Sequence, residues 1–211
     1  MLRICAYVFD FFNFGTEGTT AGAKIYYFDE ARSGDSMGGT TDNEEAILYL
    51  MSQSIMIYLN PADDRIHIQI NEFKEAIIID PGCYTRIEEK MLTDFIRKEN
   101  LKPSLLLNTH CHLDHVFGNN YVSETYGLTA HIHPNEQIVL DRLPEAAAKW
   151  GVPTDAYKGP IQYIEEGEII QFGTDSFKVL LTPGHSPGSV CFYHAQQDFM
   201  IGGDLIFKDG V

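Results

Sequence analysis

The sequence predicts an α/β chain of the α+β kind, with mixed β-sheets covered by helices. Apolar runs of strand length alternate with segments of helical periodicity. Between Ile169 and Ile201 the strand-like runs follow one another at hairpin-like spacing. With 211 residues, 44% of them hydrophobic, the chain is long enough for one domain with a sizeable core. A bundle lacks the strand runs and a pure β-sandwich lacks the helices.

Residues 1–53 form a segment of their own. An aromatic run, Tyr7 to Phe14, precedes two stretches of loop composition, Gly15 to Ala23 and Ser33 to Asp42. Lys24 to Phe28 has strand character, and Asp42 or Asn43 is placed to cap a helix reaching Leu50. No chemistry is visible there, and the segment reads as a loop-rich appendage to a domain over residues 54–211. In that domain, Ile55 to Leu59 is a strand. Arg65 to Ile70 is a half-buried strand with Ile66, Ile68 and Ile70 inward. Glu75 to Asp80 is a buried strand stopped by Pro81-Gly82. Helical spacing predicts a helix over Arg86 to Asn100 with Ile87, Met91, Phe95 and Ile96 on its buried face.

The apolar run Ser104 to Leu107 leads into Thr109-His110-Cys111-His112-Leu113-Asp114-His115. On extended backbone, His110 and His112 leave the same face of the chain; Asp114 continues that alternation and His115 breaks it. One histidine beside a strand is usually structural. Three histidines and an aspartate within positions 110–115 point to a metal site, because imidazole and carboxylate are the donors that zinc and iron take up. The Cys111 thiol points the other way and reads as core filler.

A helix is expected over Asn119 to Tyr126, closed by Gly127, then a strand over Leu128 to Ile132. His131 and His133 share alternate positions, but with no acid between them they read as structural. A helix opens at Pro134, and a further turn or two lies in Glu145 to Trp150. Asp155 to Pro160 reads as loop. Strands follow at Ile169 to Phe172, Ser176 to Leu181, Val190 to Tyr193 and Phe199 to Ile201. After two of them come further donors: His185 in Thr182-Pro183-Gly184-His185-Ser186-Pro187-Gly188-Ser189, and Asp204 after Gly202-Gly203. Asp80 is either a group that orients a ligand histidine or a turn cap.

With 15 basic and 30 acidic residues the net charge is −15, which argues against nucleic acid and against anionic membrane surfaces as partners. No stretch approaches the ~18 apolar residues of a membrane span. Arg3 and the apolar Ile4 to Phe9 imitate a signal peptide weakly, and Asp10 interrupts them. The four cysteines show no framework spacing, so a reducing, cytoplasmic home is expected.

Taken together, Asp80-Pro81-Gly82, the His110 to His115 cluster, the Pro-Gly-His turn at His185 and Gly-Asp at Asp204 resemble the metallo-β-lactamase fold superfamily. They look most like its glyoxalase II-type, hydroxyacylglutathione hydrolase-like branch. The resemblance covers about residues 75–211. It implies a four-layer αββα sandwich with two divalent metal ions, zinc first and iron or manganese next, at one sheet edge. His110, His112 and His185 would hold one metal, Asp114 and His115 the other, with Asp204 bridging and Asp80 supporting a ligand from behind. The implied reaction is hydrolysis of a small acyl thioester by a metal-bound hydroxide, with Asp114 orienting the water or handling its proton.

Two features depart from that pattern. Residues 1–53 match nothing in it, and relatives continue past the point corresponding to Val211 to a Gly-His turn that completes the second metal's ligands. The expectation is a sandwich lacking its C-terminal elements, with substrate-binding residues unassigned and hydrolysis impaired. Two other readings stay open: a mononuclear iron enzyme like the persulfide dioxygenases, using His110, His185 and Asp204, and a non-catalytic interaction protein stabilised by metal.

Overall fold

The computed structural model of the protein describes residues 26–28, 55–59, 67–70, 73–196 and 198–205, with side chains from Ile68 onward. Two sheets face each other. The first has seven strands in chain order: β1 (Tyr26–Phe28), β2 (Ile55–Leu59), β3 (His67–Ile70), β4 (Glu75–Ile79), β5 (Lys102–Leu107), β6 (Ala130–Ile132) and β7 (Ile161–Tyr163). β2, β3 and β4 pair antiparallel, whereas β4 through β7 run parallel. β1, from within the 1–53 segment, pairs parallel with β2. The second sheet is antiparallel, in the order β11-β10-β9-β8, from β8 (Ile169–Phe172), β9 (Asp175–Leu181), β10 (Val190–His194) and β11 (Phe199–Ile201).

The burial pattern follows from this layering. β4 is covered on both faces and accordingly reads Ala-Ile-Ile-Ile without alternation. Ile77 and Ile79 meet Phe177, Val179, Phe192 and Ile201 between the sheets, while Ala76 and Ile78 join Ile68, Leu92, Ile96 and Val122 on the other face. Leu92 and Ile96 come from α1 (Arg86–Lys98), and Val122 from α3 (Asn119–Tyr126). The described residues thus build helix, sheet and sheet, three layers of an αββα sandwich. Short helices α2 (Leu113–Val116), α4 (Gln137–Asp141) and α5 (Leu143–Trp150) surround a smaller cluster containing Cys111, Val116, Ile132 and Leu140.

The α1 helix starts where its sequence says it should. Thr85 caps it, with the Glu88 amide donating to Thr85 Oγ1 and the Thr85 amide to Glu88 Oε2. Its buried face differs from the expected one: Ile87 is 73% exposed, and Leu92 is buried in its stead. Leu92 and Ile96 share a core cluster with Ile78 of β4 and Leu106 of β5, so the buried stripe begins past the first turn. Leu92→Ala should therefore cost about 2–5 kcal/mol in a urea titration. Ile87→Ala should stay within about 0.5 kcal/mol of the parent.

Other differences are local. β7 occupies Ile161–Tyr163, just past the segment read as loop. Its short run has no alternation to betray it, and it exists because β6 offers a parallel edge. The helix expected from Pro134 is split into a 3-10 turn, Pro134–Glu136, and α4. Ile66 and the helix expected near Glu44 to Leu50 lie outside the described residues.

Candidate metal centre

Strand direction decides which turns meet. β4, β5 and β6 are parallel, so Asp80, the 109–115 loop and the turn after β6 all emerge at one edge of the first sheet. β9 and β11 both run opposite to β10, so His185 and Asp204, which follow them, emerge together from the second sheet. The Val190 amide donates to the Thr109 carbonyl at 2.8 Å and ties the two edges to each other.

Four imidazoles and a carboxylate converge there. Nitrogens of His110, His112 and His185 all lie within 4.8 Å of one another, as do donor atoms of His110, His115 and Asp204. His110 belongs to both sets and its ring sits against the other three, with centroids 4.7 Å from His112, 4.0 Å from His115 and 4.9 Å from His185. His112 Nδ1 and His185 Nε2 are 2.8 Å apart. Asp204 spans the sets: one oxygen is 3.3 Å from His115 Nε2 and the other 3.5 Å from His185 Nε2.

A layer behind these donors sets their orientation. Asp80 is buried, with φ +49°, a conformation that aspartate adopts more readily than most residues. Its Oδ1 accepts the Thr109 amide at 2.7 Å and its Oδ2 the Thr109 hydroxyl at 2.6 Å, while His115 Nδ1 lies 3.0 Å from Oδ2. A carboxylate only accepts, so Thr109 Oγ1 gives its proton to Asp80 and is left to accept from His110 Nδ1, 3.1 Å away. That fixes the His110 tautomer and leaves Nε2 a bare lone pair. His110 Nε2 is indeed buried with no hydrogen-bond partner among the described residues. Gly203 packs on the same threonine, and a Cβ there would lie 2.3 Å from Thr109 Oγ1.

Electrostatics suit a cation. Burial and then the neighbouring imidazoles push the His110 pKa far down, and burial followed by His185 lowers that of His112, so both remain neutral donors. For His115 burial again opposes charge, but Asp80, Asp204 and Asp114 outweigh it and push the pKa up to about 10. Buried imidazole lone pairs beside carboxylates are the donor chemistry of zinc, iron and manganese sites. The residues present fit a divalent metal.

Asp114 sits differently from the expected alternation. The extended backbone ends at His112, which caps α2, so Asp114 lies in a first helical turn. Its side chain is 57% exposed, with one oxygen 3.8 Å from His115 Nε2, and the set around His115 and Asp204 takes in His110 in its place. His131 Nδ1 faces the Leu106 carbonyl and His133 Nδ1 accepts the Asn135 amide, the structural roles expected of them. Cys111 is buried in the core. Two contributors are not apparent from sequence. Thr109 is read only as a flank of the cluster. Glu136 is buried at the centre of the site's supporting layer, yet an acid just after Pro134 looks like any acid in a first helical turn.

Comparison with known proteins agrees with this architecture. The family model described as the metallo-beta-lactamase superfamily matches residues 68–211, and the chain belongs to that superfamily. The chain is 32% identical over 140 residues to hydroxyacylglutathione hydrolase GloC of Haemophilus influenzae, covering 65% of this chain and 64% of that protein. It is 32% identical over 139 residues to the mitochondrial persulfide dioxygenase ETHE1 of Bos taurus, covering 66% of this chain and 46% of that one. Among solved structures, TTHA1623 in a di-iron-bound form superposes with a TM-score of 0.63 at 31% identity, covering 74% of this chain and 75% of that chain. The chain thus spans a little under two thirds of GloC's length. No described helix is long and apolar enough to cross a membrane.

Proposed function

We propose that the chain is a metal-dependent hydrolase that cleaves an acyl thioester of the hydroxyacylglutathione type. The observation that carries the reading is the pair of donor sets sharing His110, with Asp204 lying between His115 and His185. His110, His112 and His185 would hold one cation; His115, Asp204 and the nearby Asp114 would hold a second. Bound divalent ions supply Lewis acidity and bring the pKa of a water near neutrality. The protein's part is to fix the donors. Asp80 and Thr109 set the tautomer of His110 and the direction of His115, and Asp204 keeps the two sets in register. Asp114, exposed beside His115, is the group placed to orient a water or carry its proton outward. The resemblance to GloC favours a glutathione thioester as the substrate. Cys111 and Cys191 are free thiols, which favours a cytoplasmic location.

A second reading draws on equal similarity to ETHE1 and on His110, His185 and Asp204 as a two-histidine, one-carboxylate set for a single iron. The substrate turned over and the metal that restores activity separate the two. Thiol release from a hydroxyacylglutathione should vanish on chelation and return with zinc. Oxygen uptake on glutathione persulfide by iron-loaded protein, without thioester cleavage, would select the dioxygenase. A metal-loaded, folded chain inert in both assays would leave the metal a structural role.

A further inference from the structure

Glu136 lies outside the donor sets, yet its carboxylate is completely buried. A buried carboxylate is destabilising unless its oxygens are satisfied. Here both are. Oε2 accepts the Cys111 amide at 2.7 Å; Oε1 accepts the Ser186 hydroxyl at 2.6 Å and the Gly188 amide at 2.7 Å. Cys111 stands between His110 and His112, and Ser186 directly follows His185. One side chain therefore joins the two loops that carry the three-histidine set, loops that come from different sheets.

The surroundings are built around that contact. Glu136 ends the 3-10 turn Pro134–Glu136, whose start is capped by His133. Asn135 Nδ2 donates to the Pro187 carbonyl at 3.3 Å, docking the turn on the second loop. Position 188 must be glycine for the turn to seat: a Cβ there would lie 2.9 Å from His133 Nδ1 and 3.0 Å from both Asn135 Cβ and Glu136 Cγ. Asp80 performs the corresponding service for His115 through an independent set of contacts.

We infer that Glu136 is a positioning residue for the three-histidine set, holding the His110-His112 loop and the His185 loop at the separation a metal requires. The inference rests on the metal-binding reading above. Three charge-assisted hydrogen bonds hold the loops. A glutamine in the same place loses one acceptor and turns an amide donor toward another donor, so at least one contact must open.

The test is a cobalt titration of the full chain against a competing chelator, reading the affinity of the first bound metal and its visible ligand-field spectrum. Glu136→Gln should weaken that affinity ~10–100-fold, as loss of a group behind a ligand does, and should alter the spectrum. Leu92→Ala, which loosens the core away from the site, should leave both unchanged. If Glu136→Gln does not fold, Ser186→Ala is read in its place, since it keeps Glu136 and deletes one donor. A wild-type affinity and spectrum in the folded variant overturn the inference, as does an equal loss in Leu92→Ala. A wild-type chain that takes up no cobalt removes the metal-binding reading as well. Wild-type uptake with an unaffected variant removes this inference alone.

Discussion

His110→Ala should strip the protein of its metal. His110 is the donor common to both sets, and its Nε2 is a buried lone pair with no hydrogen-bond partner among the described residues. Burial and the surrounding imidazoles keep it neutral, so no proton competes for that lone pair. Removing a group that merely supports a ligand lowers metal affinity or activity ~10–100-fold, and removal of a shared ligand should exceed that. His112→Ala touches one set only and should do less. Elemental analysis after dialysis against a weak chelator reads both variants. Wild-type metal content in His110→Ala would remove the assignment of the site. The fold should persist, because Thr109 Oγ1 keeps its bond to Asp80 when the imidazole is gone.

Asp80→Ala should be the most destabilising single change at the site. Two Thr109 donors and His115 Nδ1 converge on this carboxylate, all in the interior. Deleting it leaves a buried amide and hydroxyl without acceptors and a buried imidazole without its counter-charge. Breaking a buried ionic contact from one side costs about 3–5 kcal/mol. Alanine also fits the φ of +49° poorly, whereas asparagine tolerates it. Asp80→Asn keeps one acceptor and should lose about 1–3 kcal/mol. Urea unfolding of the metal-free protein measures both. An alanine variant as stable as the asparagine variant would mean that the carboxylate orients His115 without holding the loop together.

These two predictions draw on different amounts of sequence information. The donors were legible because their spacing is peculiar: three histidines and an aspartate within positions 110–115 have little structural use, and Pro-Gly and Gly-Gly turns mark His185 and Asp204. Edge strand β8 is legible for a related reason, since a strand with one wet face must alternate, as Ile170 and Phe172 do against Ile169 and Gln171. The buried face of α1 is not decided locally: Ile87 is as apolar as Leu92, and only the sheet beneath decides which of them it covers. The direction of Asp114 is not legible locally, because an extended run and a helix turn can share one short sequence.

By itself, then, the sequence determined the sandwich class, the edge strands that alternate, and which histidines and carboxylates come together at one sheet edge. Only the tertiary structure decided how they act together. Parallel strands β4, β5 and β6 bring Asp80, Thr109 and Glu136 to one edge, and the β9–β10–β11 meander returns His185 and Asp204 to the same place. Local pattern records what each residue is suited to do. Contacts such as Ser186 to Glu136 join positions 50 apart, and no local pattern encodes them, because they exist only once two separately ordered sheets have packed face to face.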